Sequence, residues 1–243
     1  MRTALVTRPR EDSEGVAAEL SARGLAVMVE PLLDIRPVDG IEVDIAGVQG
    51  ILATSANGVR ALARVLPDRA LPVWAVGDAS AREARKLGYQ TVDSAGGDVD
   101  TLTDLVAARC DPTAGAFLHA AGSVTAGDLS GRLAGLGFAV RRLVLYEAVT
   151  AEALSAPLAA ALRAQGVDFA LFFSPRTAAT FARLVAAAGL SEACAAIDAF
   201  ALSPAVAREL ALLPWRAVRA AAAPTQAALL AALDEDLKSR GEP

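Results

Sequence analysis

The chain is poor in the residues that most often carry chemistry. Its 243 residues include one histidine, two cysteines and two lysines, Lys86 and Lys238. One histidine with Cys110 and Cys194 cannot close a Cys/His zinc site. A single cysteine pair does not staple a chain of this length into a disulfide scaffold. Neither lysine stands in a GxxxxGK[ST] phosphate loop, and Arg8-Pro9-Arg10 follows the first apolar run where a GxGxxG would stand. The acidic pair and late lysine of a phosphoryl-accepting receiver module are missing too. Positive charge is in deficit: 23 Lys+Arg against 28 Asp+Glu give −5 and a pI near 5.0. That leaves no basic field to track a nucleic-acid backbone. No 18-residue apolar run exists to span a bilayer, and the first residues hold too short an apolar stretch for a signal peptide. The mean hydropathy of +0.40 comes largely from alanine, about a quarter of the chain. Hydrophobic residues at 54% with charged ones at 21% exclude disorder. A soluble, ordered, cytoplasmic protein of one large or two small domains is expected.

What is present is an alternation. Short, nearly continuous apolar runs at 3–7, 26–30, 50–54, 73–76, 116–119, 140–146, 169–173, 199–202 and 217–220 read as strands, with 90–92 as a weaker one. Continuous rather than alternating runs suit parallel strands covered on both faces. Alanine-rich amphipathic stretches lie between them, at 14–23, 79–87, 129–136 and 177–188. Each ends at a glycine (Gly24, Gly88, Gly137, Gly189), the residue that tolerates the left-handed turn after a helix. This is the pattern of an open α/β sheet. About ten strands make two five-stranded sheets, cut either in sequence near 112–115 or by nesting one sheet inside the other. Pro31 to Val38 and Leu143 to Val149 are extended stretches that can pair as a two-stranded connection, as nesting would need, but the residues alone leave both cuts open.

In such sheets ligands sit beyond the carboxyl ends of the strands, where helix N-termini present backbone N–H groups. Several predicted strands end there in small polar residues: Thr54-Ser55-Ala56-Asn57-Gly58, Gly77-Asp78-Ala79-Ser80, Ser174-Pro175-Arg176-Thr177, Ser203-Pro204 and Pro224-Thr225. Each alone reads as a helix cap. Together they form a row of neutral donors suited to an anion, with Gly58 and Gly77 allowing close backbone approach. Arg8 can anchor a carboxylate or pair with Glu11 or Asp12. His119 reads as strand-end packing, Cys110 and Cys194 as small core residues, and Asp234-Glu235-Asp236 as a solvated helix end. No nucleophile–base–acid triad is visible. An enzyme built this way works by shaping and orienting its substrate.

Thr54-Ser55-Ala56-Asn57-Gly58-Val59 and then Ala75-Val76-Gly77-Asp78-Ala79-Ser80-Ala81 resemble the uroporphyrinogen-III synthase family. So do Ser94 to Leu102, Gly137 with Val144-Leu145-Tyr146-Glu147, Phe173-Ser174-Pro175 and Ala223-Pro224-Thr225, in the same order along nearly the whole chain. The resemblance implies two flavodoxin-like parallel-sheet α/β domains, nested and joined by a two-stranded β connection. Residues 1–36 with 149–243 would form the discontinuous domain and 37–148 the inserted one. It implies closure of linear hydroxymethylbilane to uroporphyrinogen III, with loss of water and inversion of the fourth pyrrole ring. The route would run through azafulvene and spiro-pyrrolenine intermediates, without metal or organic cofactor. A monomer is implied, with a transient contact to hydroxymethylbilane synthase, which makes the substrate.

Carried over position by position, Tyr146 matches the tyrosine thought to assist departure of the hydroxyl. Thr54, Ser55, Asn57, Gly77, Ser80 and Ser174 match substrate-binding, cleft-lining loops; Arg8, Gly122, Ser203 and Thr225 complete the expected binding set. Ser80 replaces a common threonine and keeps its hydroxyl. Ser203-Pro204-Ala205-Val206-Ala207 departs from the Gly-Pro-Thr-Thr-Ala of many relatives, leaving Ser203 to supply polarity there. His119-Ala120-Ala121-Gly122 lacks the arginine that many relatives carry before the glycine. Two other readings stay open at this point: a non-catalytic tetrapyrrole-binding or regulatory domain, and a generic sugar- or phosphate-binding α/β protein.

Overall fold

Short apolar runs flanked by helices that begin at a polar residue set the order of elements. A computed structural model describes residues 1–124 and 127–239. The chain begins with β1 (Thr3–Val6), α1 (Arg10–Ala22), β2 (Ala26–Val29), β3 (Leu33–Pro37), β4 (Val48–Ala53), α2 (Ala56–Val65) and β5 (Val73–Ala75). It continues through α3 (Asp78–Lys86), β6 (Val92–Ser94), α4 (Val99–Arg109), β7 (Ala116–Gly122), α5 (Leu129–Gly135) and β8 (Val140–Thr150). Last come α6 (Ala156–Arg163), β9 (Phe169–Phe172), α7 (Pro175–Ala187), a 3-10 helix (Ser191–Ala196), β10 (Asp198–Ala201), α8 (Pro204–Leu210), β11 (Ala217–Ala220) and α9 (Gln226–Ser239).

The chain divides into two compact units, Met1–Asp34 with Val149–Pro243, and Ile35–Ala148. The first holds a five-stranded sheet ordered β11-β10-β9-β1-β2, whose assigned pairs are all parallel. Counted within the unit this is the flavodoxin-like order, with its switch point between β1 and β9. The sheet of the second unit runs β3-β8-β7-β4-β5-β6, parallel from β8 through β6. Its five parallel strands follow the other common doubly wound order, with the switch point between β4 and β7. The expected pairing of the stretches 31–38 and 143–149 is present, but it makes the sheet six-stranded where five were expected: β3 joins it beside β8, and Val38 N donates to Leu145 O at 2.9 Å. A proline-flanked stretch with exposed positions resembles a connection more than a strand; pairing with the long β8 gives its backbone groups partners.

Both sheets are buried on two faces, as parallel sheets require. Along β9, Phe169 and Leu171 enter one core cluster while Ala170 and Phe172 enter another. Along β4, Ile51 and Ala53 pack with α2 and α3, whereas Leu52 packs with Trp74, Leu102 and Phe117. Alternate residues of a strand point to opposite faces, so apolar residues at every position are needed. Each fully buried large side chain contributes about 1.5–3 kcal/mol of transfer free energy.

The ladder between β7 and β8 is irregular at one point: Ala121 pairs with Val144, but Gly122 pairs with Tyr146. One extra residue on β8 is the mark of a bulge, a device that re-aims side chains. Strict alternation would place Leu145 and Tyr146 on opposite faces. Here both join the same cluster, with Val59, Leu62, Ala81 and Ala120.

Candidate active site

In the second unit the expected residues gather beyond the carboxyl ends of β4, β5 and β7. Ser55 is the cap of α2: its Oγ accepts the Gly58 N–H at 3.0 Å. The same Oγ lies 2.9 Å from the Tyr146 hydroxyl. Two glycines make this meeting possible. A Cβ on Gly58 would collide with the carbonyl oxygen of Ala120, so only glycine lets α2 lie this close to β7. A Cβ on Gly122 would fall 2.8 Å from two ring carbons of Tyr146. The space at Gly58 is therefore filled by the sheet and not open to a ligand, which corrects the expectation from sequence. At Gly77 an added Cβ would meet nothing within 4 Å.

Thr54 follows β4 and places its Oγ1 3.2 Å from His119 Nε2 on β7. Asn57 is turned toward its own helix, where its Oδ1 accepts from Arg60 Nη2 at 2.5 Å; Arg60 in turn faces Glu83 at 3.5 Å. Gly77 caps α3 without a side-chain acceptor, and Ser80, one turn into that helix, is buried. Arg142, which sequence reasoning passed over, donates from Nη2 to the carbonyls of Gly122 at 2.7 Å and Ser123 at 3.2 Å. Its signal was its place in β8, opposite His119 in the ladder. Burial first, and the Arg142 cation second, push the His119 imidazole down to about 4.

In the first unit the remaining expected residues follow β1, β9, β10 and β11. The Arg8 guanidinium lies over the Phe173 ring, 4.6 Å from its centroid. It donates to Gln226 Oε1 at 3.2 Å and stands 3.8 Å from Asp12. Ser174 Oγ accepts from Thr177 N at 3.1 Å, Ser203 Oγ from Val206 N at 3.4 Å, and Thr225 Oγ1 from Ala228 N at 3.2 Å. All three act as caps, which leaves further first-turn N–H groups without intrahelical partners. Val206 is buried in the core, so the side chain at this position serves packing. The acidic run of α9 is not a solvated end: Asp234 receives Arg23 at 2.6 Å, and Asp236, 3% exposed, receives Arg219 at 2.6 Å.

Cys194 is buried in a wholly apolar setting that pushes its thiol up to about 12, and the half-buried Cys110 is raised by burial and by Asp93. Neither has the lowered pKa of a nucleophile. Among the described residues, no group of three or more His, Cys, Asp and Glu side chains is placed to hold a metal ion, and no helix is long and apolar enough to cross a membrane.

Comparison with known proteins gives these arrangements a family. The family model described as "Uroporphyrinogen-III synthase HemD" matches residues 14–231. A uroporphyrinogen-III synthase of Chlorobaculum parvum is 29% identical over 205 residues, 79% of this chain and 82% of its own. Among solved structures, the uroporphyrinogen-III synthetase of Helicobacter pylori aligns over 97% of this chain and 99% of its own, with a TM-score of 0.66 at 17% identity. A mutant uroporphyrinogen III synthase of Thermus thermophilus aligns over 98% and 100%, with a TM-score of 0.56 at 18% identity. These two show the shared fold. With its family model matched over 218 residues (14 to 231 inclusive), the chain belongs to the uroporphyrinogen-III synthase HemD family.

Proposed function

We propose that Tyr146 delivers the proton that carries the hydroxyl of linear hydroxymethylbilane away as water, and that Ser55 holds the phenol for that step. Family membership supplies the activity itself: this is a uroporphyrinogen-III synthase, a hydro-lyase of tetrapyrrole biosynthesis. The observation that carries the residue assignment is the 2.9 Å contact between Ser55 Oγ and the Tyr146 hydroxyl. Ser55 Oγ already accepts from Gly58 N, so its own proton is available to the phenol oxygen. With that bond made, the phenolic proton is left for the departing hydroxyl. A positioned general acid of this kind contributes about 10²–10⁴ in rate.

Binding follows from the same strand ends. The substrate is a polycarboxylate, and the starts of α2, α3, α7, α8 and α9 offer backbone N–H groups, each helix end contributing about 0.3–1 kcal/mol. Local donors of this sort, with Arg8, let a protein of net charge −5 hold a polyanion without a diffuse basic field. Thr54, Ser55, Gly77, Ser80 and Gly122 in one unit, and Ser174, Ser203 and Thr225 in the other, are the positions assigned to it. Asn57, held by Arg60, completes the assigned set. A monomeric, cytoplasmic enzyme that meets hydroxymethylbilane synthase only in passing belongs to the same proposal.

The test is the isomer formed from hydroxymethylbilane. Wild type gives the type III isomer, and Tyr146→Phe, which keeps the ring, lowers kcat by 10²-fold or more with an unchanged melting profile. Full rate in Tyr146→Phe makes the tyrosine structural. Retained tetrapyrrole binding with only type I product would favour the non-catalytic reading.

A further inference from the structure

One buried titratable group has no part in that chemistry. His119, the chain's single histidine, is 3% exposed on β7, and its depressed pKa keeps the ring neutral at pH 7. A neutral imidazole has one N–H and one lone pair, and its partners decide which nitrogen carries the proton. Nε2 lies 3.2 Å from Thr54 Oγ1. Nδ1 is buried and has no hydrogen-bond partner among the described residues. A buried N–H without an acceptor is rarer and costlier than an acceptor with an unused lone pair. The charged group that acts on the ring is Arg142, a cation with donors and no acceptor, which favours a lone pair over an N–H. The proton therefore sits on Nε2.

Thr54 Oγ1 then accepts that N–H. His119 is the only side-chain partner of Thr54 among the described residues, so the hydroxyl proton is left for a different acceptor. Thr54 is half-buried at the carboxyl end of β4, beside the switch point between β4 and β7 where doubly wound sheets take ligands. We infer that His119 is a positioning residue: its Nε2–H turns the Thr54 hydroxyl into a one-way donor for a substrate carboxylate. The carboxylate rests on the function proposed above; the donor assignment does not. A threonine left alone can accept as readily as it donates. One whose oxygen is occupied from inside selects acceptors, and the substrate's carboxylates are acceptors only.

Two measurements decide this. Because the chain has one histidine, a long-range 1H–15N spectrum shows a single imidazole pattern. The Nε2–H tautomer is expected at pH 7, moving toward a mixture in Thr54→Val. An Nδ1–H pattern, or one indifferent to Thr54→Val, overturns the inference whatever the enzyme's substrate. In kinetics with hydroxymethylbilane, Thr54→Val raises KM about tenfold, as for one hydrogen bond to a charged group, with kcat changed far less. His119→Phe raises KM about threefold, and His119→Gln, which keeps a donor near the Nε2 position, restores it. The Thr54→Val/His119→Phe pair behaves as Thr54→Val alone; additive effects overturn the inference. If His119→Phe does not fold, His119→Gln and Thr54→Val carry the test. A wild type that forms no type III isomer sinks the functional reading, while the spectrum still decides the donor assignment.

Discussion

Gly122→Ala adds a single methyl group against the ring of Tyr146. The Cβ would stand 2.8 Å from two ring carbons of Tyr146 and 3.1 Å from its hydroxyl oxygen. Carbon atoms rest at about 3.5–4.0 Å, so the ring or the strand must yield by about 1 Å. Gly122 is not among the glycines with positive φ, so crowding alone is at work. The ring has little room, being 8% exposed and packed in the cluster around Val59 and Leu62. Moving it by about 1 Å stretches the 2.9 Å contact with Ser55 beyond hydrogen-bond range. A misplacement of that size costs about 10²-fold in rate. Overpacking costs about 1–3 kcal/mol of stability, and for a chain of this size each kcal/mol lowers Tm by roughly 2–4 °C. The assay is the initial rate of type III isomer formation beside a thermal melt, in Gly122→Ala, Tyr146→Phe and the double variant. If the methyl group acts through the phenol, the double variant loses no more kcat than Tyr146→Phe, although it melts lower. Unchanged kcat in Gly122→Ala, or rate losses that multiply, would refute the reasoning.

Ser55→Ala removes a helix cap and the phenol's partner together, with an expected loss of about 1 kcal/mol in urea unfolding and a fall in kcat that Ser55→Thr restores. Stability drops in mild acid because His119 stays neutral in the folded chain down to about 4 but takes up a proton near 6.5 when unfolded. Its contribution is whole above pH 6.5 and is lost as pH falls toward 4, amounting to about 2 kcal/mol between pH 7 and 5. Urea melts at the two pH values show that loss in wild type and a smaller one in His119→Gln. Asp198, fully buried at the start of β10, accepts from Arg216 Nε at 3.1 Å and faces Arg219 at 3.4 Å. Asp198→Asn keeps the volume and loses the charge, for an expected 1–3 kcal/mol or so, read in the same melts with no change in isomer ratio.

Much of the fold could be read because the physics was local. The runs at 169–173 and 199–202 are apolar at consecutive positions, which only a doubly covered strand needs, and they became β9 and β10. Glycines 24, 88, 137 and 189 all adopt the positive φ of a helix stop. What could not be read depends on partners distant in sequence. The pairing of 33–37 with β8, about a hundred residues away, was legible as a two-stranded connection, but not that it adds a sixth strand to the sheet. Asp236 looked solvated because nothing near it in sequence reveals Arg219. Gly58 looked like an opening for a ligand because its neighbour, the Ala120 carbonyl, lies on another strand. The polar strand ends were legible as caps, but the pairing of Ser55 with Tyr146 was not. It depends on a one-residue irregularity in the β7–β8 ladder that leaves no mark in composition.

The nesting of the units has a consequence for how the protein is made. The strand β1 lies between β2 and β9 in its sheet, and Thr3 N bonds to Asp168 across 165 positions. When the ribosome has delivered β1, α1 and β2, that sheet has no central partner to complete it. The residues of the second unit, by contrast, are contiguous and can close as soon as β8 emerges, since domains fold as units in the order of synthesis. The unit translated in the middle is thus the first to finish. Once formed, it acts as a folded loop that holds the two halves of the other unit within reach, where a disordered loop of the same length would resist closure by its entropy. A ribosome stalled far enough past residue 150 for β8 to have left the exit tunnel should therefore carry one protease-resistant body, and its N-terminal 30 residues should still be cut.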